Sequence, residues 1–205
     1  EMTENHTGLV AEIHLRELSS SVLSRLGISF LKDFYYRGLV SINGFKGFVI
    51  LWEKEVVGFI ALSLEPERVF RRLMTNNLRI LVMSLIRGLL SDKGTIRAIL
   101  EAARFFLSSG RPVDSGLSEI LSFAVPVRFR SREFYSQSKL KPGNELFLFA
   151  LGFLKKMNKK KTFLMVDAQN APARIFYRNM GMKETGSKKY FGLDCLKCEK
   201  VFDDS

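Results

Sequence analysis

The run Thr162-Phe163-Leu164-Met165-Val166, followed by Asn170-Ala171-Pro172-Ala173-Arg174-Ile175-Phe176-Tyr177-Arg178-Asn179-Met180-Gly181-Met182, decides how this chain is read. Thr162 to Val166 is the apolar run of a strand buried on both faces. Asn170 has the chemistry of a helix N-cap, Pro172 falls in the first turn, where its missing N–H is not needed, and Gly181 stands where the helix must stop. Ala173 and Tyr177 are four residues apart and share one helical face, so a small side chain beside the tyrosine leaves room for a ligand. The stretch is a strand, a capped short helix and one tyrosine delivered at a fixed place.

Upstream, Ser118 to Val125 reads as a buried strand and residues 143–158 as a helix, with apolar side chains at 146, 149, 150, 153, 154 and 157. Strand, helix and strand make a βαβ unit, a right-handed crossover between parallel strands. Its ligand site lies where the strand ends and the helix begins. The connection from Pro126 to Lys141 reads as a long loop containing Arg128, Arg130 and Arg132, then Gln137-Ser138-Lys139-Leu140-Lys141-Pro142-Gly143-Asn144.

Nearer the start, Leu9, Ile13 and Leu18 predict a helix over 8–18, and Leu26, Phe30, Leu31, Phe34, Tyr35 and Leu39 predict a second. Gly47 to Glu53 and Val56 to Leu64, joined by Lys54-Glu55, predict an antiparallel hairpin. Between Glu65 and Gly116 the pattern predicts two or three helices, which cap the sheet or close the cleft, or lie on a membrane or a partner surface. Leu193 to Phe202 alternates like a strand. It carries the two cysteines, Cys195 and Cys198, at a spacing that turns them to opposite faces and supplies too few ligands for a structural zinc.

NxxAxxxYxxxGM over 170–182, placed after a strand, resembles the last motif of the GNAT superfamily of acetyl-CoA-dependent N-acyltransferases. Two helices and an antiparallel hairpin in the first half, and the βαβ unit in the second, follow that family's order. The family's first strand is short or missing before residue 8. The resemblance implies one α/β domain over 1–205, a mixed sheet flanked by helices with a helical insertion at about 66–110. It implies acetyl-CoA as cosubstrate, with no metal, and a primary amine as acceptor, such as an amino sugar or a protein amine. It implies that CoA's pantetheine arm pairs with the backbone of Phe123 to Val125, and that an N–H near Ala124 or Val125 polarises the thioester carbonyl. Lys141, Gly143 and Asn144 would hold the pyrophosphate, with Asn170, Ala173 and Phe176 beside the CoA arm. Tyr177 would protonate the departing thiolate. Glu119, with Glu65 second, is the candidate general base. The family's pyrophosphate loop, (Q/R)xxGxG/A, survives here with one glycine and added lysines, and that departure keeps open a non-catalytic interaction module.

The 205 residues carry 32 Lys and Arg against 21 Asp and Glu, a formal charge of +11, which points to an anionic partner. A nucleic-acid-binding protein is the rival reading. It is disfavoured because no such motif appears and the aromatics sit in apolar runs rather than between lysines. No apolar stretch approaches the roughly 20 residues that span a bilayer. The opening Glu-Met-Thr-Glu-Asn-His lacks the basic-then-apolar pattern of a secretory leader, so a cytoplasmic protein with an optional membrane-surface contact is the expectation.

Overall fold

The computed structural model describes residues 1–83, 115–190 and 193–202. Its strands are β1 (Phe45–Trp52), β2 (Glu55–Ser63), β3 (Leu117–Ala124), β4 (Lys161–Asp167), β5 (Lys183–Tyr190) and β6 (Leu193–Val201), and they form one mixed sheet in the order β1-β2-β3-β4-β6-β5. Every neighbouring pair is antiparallel except β3 and β4, which are parallel. That parallel pair is the βαβ unit foreseen from the sequence, with helix α6 (Pro142–Lys156) in the crossover.

Residues on β2 alternate between two cores, as the two-residue period of a strand requires. Phe59 and Ala61 join α1 (Thr7–Glu17), α3 (Arg37–Val40) and α4 (Pro66–Asn76) through Val10, Ala11, Leu39, Val69 and Leu73. Ile60 and Leu62 join the opposite core, built on Leu146, Phe147, Ala150, Leu151 and Leu154 of α6. Helices therefore cover both faces of the sheet.

The expected second helix, Leu26 to Leu39, is present but changes its winding part-way. A short α2 (Val22–Arg25) is followed by a π-helical stretch, Phe30–Tyr36, which runs on into α3. The wider π turn lets the adjacent Tyr35 and Tyr36 both point inward, at 1% and 0% exposure, which the 100° step of an α-helix does not favour.

The hairpin turns one residue earlier than the sequence suggested. Glu53 and Lys54 occupy the turn with φ of +49° and +67°, and Glu55 already pairs with Trp52. Two positive φ values match the twist of the flanking strands, and that demand outweighs the residue types. Residues 1–6 contain no strand, and Met2 N–H donates to the Gly47 carbonyl at 2.7 Å on the edge of β1.

The long loop expected over 126–141 is instead structured. A 3-10 turn, Val127–Arg130, leads into α5 (Arg132–Ser138), whose N-cap Ser131 accepts from Phe134 N–H at 3.1 Å. Phe129 and Phe134 drive this folding by packing with Val57 and Val125 in a third small core. Strand β5, Lys-Glu-Thr-Gly-Ser-Lys-Lys-Tyr, has no apolar alternation to announce it and forms the sheet edge. Cys195 and Cys198 are free thiols on β6, both buried. Of the expected insertion, α4 and a helical turn at 78–83 are described, and the rest lies outside the described residues. No helix among the described residues is long and apolar enough to cross a membrane.

Candidate active site

β3 and β4 pair over only three residue couples, Leu117 with Lys161, Ser118 with Thr162 and Glu119 with Phe163. Beyond them β3 remains paired with β2 and β4 with β6. The two strands thus part company from Ile120 and Leu164 onward, each with one backbone edge unused inside the sheet. On the β2 side, Ala61 faces Ser122 and Leu62 faces Ile120, so Leu121 is the extra residue of a bulge beside this opening. A cavity of about 730 Å³ fills the opening, a size suited to a cofactor-sized ligand.

Most of the residues singled out from the sequence meet around this cavity. β3 contributes Glu119, Phe123 and Ala124, with Val125 just beyond it. The start of α6 contributes Lys141, Gly143 and Asn144. The loop after β4 and helix α7 (Ala171–Asn179) contribute Asn170, Ala173, Phe176 and Tyr177. Asn170 caps α7 as the sequence foretold, its Oδ1 accepting from Ala173 N–H at 3.1 Å. Gly181 ends the element with φ of +81°, a left-handed conformation that glycine adopts without strain.

Aromatic packing fixes α7 against the walls. Phe176 stacks on Phe123 with ring centres 5.4 Å apart, and Phe147 meets Phe176 edge-on at 5.4 Å. The Tyr177 ring lies 5.6 Å from that of Phe147. Burial raises the Tyr177 phenol well above its ordinary range, Cys198 adds to the rise, and Arg130 partly offsets it. Tyr177 is a neutral hydroxyl at physiological pH, able to donate its proton in a hydrogen bond.

At the mouth of α6, Gly143 and Asn144 present N–H groups that the first turn of a helix leaves without intrahelical acceptors. A side chain on Gly143 would touch Phe176 at 3.7 Å and Phe123 at 3.8 Å, so the helix start abuts the aromatic stack. The Lys141 ammonium lies 5.0 Å from the Tyr135 ring centre.

Arg128, Arg130 and Arg132, neighbours in the expected loop, are divided in the structure. Arg128 pairs with Glu55 across the hairpin end and lies 4.4 Å above the Phe129 ring. Arg130 donates to the Val125 carbonyl at 2.6 Å and to Glu17 at 2.9 Å, which ties the cleft rim to α1. Both are structural braces, and of the three Arg130 and Arg132 line the cavity. Glu65, the second candidate base, pairs with Arg72 at 2.9 Å and occupies the N-cap position of α4, away from the cavity walls.

Sequence reasoning missed His14, Tyr36, Ser21 and Ser122. His14 Nδ1 and Tyr36 Oη are 2.5 Å apart, Tyr36 Oη and Ser122 Oγ 3.0 Å, and His14 Nε2 and Ser21 Oγ 3.1 Å. A signal existed: His14 lies on the apolar face of α1 with Val10, Ala11 and Ile13, where an unpartnered imidazole is costly. Among the described residues no group of three or more His, Cys, Asp or Glu is placed to hold a metal ion.

No protein-family model and no curated protein sequence matches this chain. Solved structures do match. The PaiA N-acetyltransferase from Thermoplasma acidophilum, crystallised in complex with coenzyme A, superimposes with a TM-score of 0.58 at 13% identity, covering 98% of this chain and 96% of its own. A ribosomal-protein-alanine N-acetyltransferase from Brucella melitensis gives 0.60 at 17% identity, covering 98% and 97%. An acetyltransferase assigned to the GNAT family from Desulfovibrio desulfuricans gives 0.53 at 11% identity, covering 94% and 92%. Taken with the parted parallel strands and the capped helix after β4, these likenesses show that this chain has the fold of the GNAT N-acetyltransferases.

Proposed function

We propose that residues 1–205 act as one acyltransferase domain that moves an acetyl group from acetyl-CoA to a primary amine by direct attack. The observation that carries this reading is the parting of β3 and β4 after Glu119, beside the start of α6 and beneath Tyr177 of α7. The edge of Phe123 to Val125, left unpaired by β4 and with the Val125 carbonyl held by Arg130, suits an amide-bearing arm that adds as a short pseudo-strand. Gly143 and Asn144 suit an anionic diphosphate, with Lys141 and Arg132 supplying charge. When bound, acetyl-CoA supplies an activated thioester.

The residues of the chain do the rest. A backbone N–H near Ala124 or Val125 polarises the carbonyl. Tyr177 hydrogen-bonds the departing sulfur. Because a thiol's pKa is about 8.5 and the phenol is raised above its usual value of about 10, Tyr177 acts mainly by donating a hydrogen bond rather than by full proton transfer. Glu119 at the inner end of the cleft is the candidate base for the amine. The acceptor is a small-molecule or protein amine.

Calorimetric titration with acetyl-CoA and with free CoA tests the reading. Saturable micromolar binding supports it, and absence of binding at millimolar ligand rejects it. That second outcome would favour a non-catalytic module, a reading that draws on the Glu145 carboxylate, which accepts from Lys141 N–H at 2.9 Å at the start of α6.

A further inference from the structure

Five side chains form one continuous hydrogen-bonded chain in the wall of the cleft, and its direction follows from its far end. The Leu18 carbonyl can only accept, and Ser24 Oγ–H donates to it at 2.8 Å. With that proton committed, Ser24 Oγ accepts the Ser21 hydroxyl at 2.9 Å. Ser21 Oγ then has no proton left to give. It accepts from Ser24 N–H at 3.1 Å and from His14 Nε2 at 3.1 Å.

His14 is 1% exposed and wedged among Tyr35, Tyr36 and Phe59. Burial lowers its pKa to about 3, so the ring is neutral at physiological pH. A neutral ring that carries its proton on Nε2 has a bare Nδ1, and Nδ1 accepts the Tyr36 hydroxyl at 2.5 Å. Tyr36 Oη in turn accepts Ser122 Oγ–H at 3.0 Å. Each link fixes the next, and neutral groups in a desolvated chain polarise one another. Ser122 lines the cavity with its proton turned inward, so only lone pairs face the ligand space.

We propose that Ser122 Oγ is a fixed hydrogen-bond acceptor in the cleft, oriented by the one-way chain through Tyr36 and His14, and that it receives an N–H of the attacking primary amine. This assignment rests on the acyltransferase reading above. Ser122 follows Glu119 by three residues on β3 and directly precedes the edge offered to the thioester arm, which is where an incoming nucleophile must arrive. An acceptor-only group favours a donor there. It disfavours carboxylate, phosphate or carbonyl oxygens, which would face it lone pair to lone pair.

The test is nitrogen NMR of the full chain labelled at histidine. The chain has two histidines, His6 and His14, and a His6→Gln variant assigns the signals. A neutral His14 with its proton on Nε2 is expected at neutral pH. A proton on Nδ1, or an imidazolium, overturns the proposal. Titration with benzylamine as the probe should then shift the His14 signals, because an N–H donated to Ser122 tightens every link behind it. Ser122→Ala should weaken that binding roughly tenfold, with Ser122→Thr restoring it, and benzylamine that leaves the wild-type His14 signals unmoved also overturns the proposal. Failure of the acyltransferase reading would show separately, as absence of acetyl-CoA binding in calorimetry, and would leave the tautomer result standing.

Discussion

Glu145 Oε1 accepts the backbone N–H of Lys141 at 2.9 Å, so α6 begins under the carboxylate of its own first turn. The arrangement stabilises the helix, as acidic groups near an N-terminus do. It also puts a negative charge where the proposed diphosphate would lie. Glu145→Gln keeps an amide oxygen for the cap and removes the charge. It should tighten acetyl-CoA binding by roughly three- to tenfold at low salt, with the gain shrinking as salt is raised. Calorimetry at two ionic strengths checks both parts.

Tyr177→Phe removes the phenol and leaves the ring contacts with Phe147 and Phe176 in place. Turnover should drop on the order of 10²-fold while acetyl-CoA affinity is nearly unchanged. An equal loss in affinity and no loss in turnover would make Tyr177 a packing residue.

His14 gives the fold a pH dependence. Its folded pKa of about 3 lies below the ordinary histidine value of 6.5, so as pH falls through 6.5 the unfolded chain takes up a proton that the folded chain refuses until about pH 3. Stability therefore rises with pH between those values and is fully present above the upper one. His14→Gln should flatten this part of a plot of denaturation midpoint against pH, even though it lowers stability at neutral pH.

Gly58 on β2 faces Val125 closely. A Cβ there would lie 2.9 Å from Val125 Cγ2 and 3.3 Å from the Ala124 carbonyl, at the wall of the cleft. Gly58→Ala should destabilise the protein by about 1–3 kcal/mol in urea unfolding.

Glu199 offers a second acid-sensitive point. Burial opposes its ionisation, but Lys161 at 2.8 Å and Lys197 at 2.6 Å hold its pKa down at about 2. Its share of stability is present above the ordinary glutamate value of 4.5 and is lost as pH falls through about 2. Glu199→Gln should remove that acid-limb loss from the melting profile.

The motif around Tyr177 was legible because each of its features is local: a cap at Asn170, a proline in the first turn and a glycine stop. The parallel pair β3–β4 was legible from apolar runs flanking a helical period. What escaped were features set by tertiary contacts. Strand β5 is polar because an exposed edge needs lysine more than it needs a buried face. The ordered 3-10 turn and α5 hid behind a basic composition, since Phe129 and Phe134 were too widely spaced to show a period. Arg130 read as one of three basic residues in a loop, and its partner Glu17 lies 113 residues away. The His14–Ser122 chain joins residues from three elements, and the π turn that brings Tyr36 inward leaves no trace in helical spacing.

The three-residue seam between β3 and β4 has a mechanical meaning. It joins two antiparallel plates, β1–β2–β3 and β4–β6–β5, along their shortest common border. The structure is thus unfinished along one line, and a ligand that bonds to both open edges would lengthen the seam and weld the plates together. Occupancy would then be felt as stiffness far from the cleft, out to the lysine-bearing edge at β5, without any lid having to close.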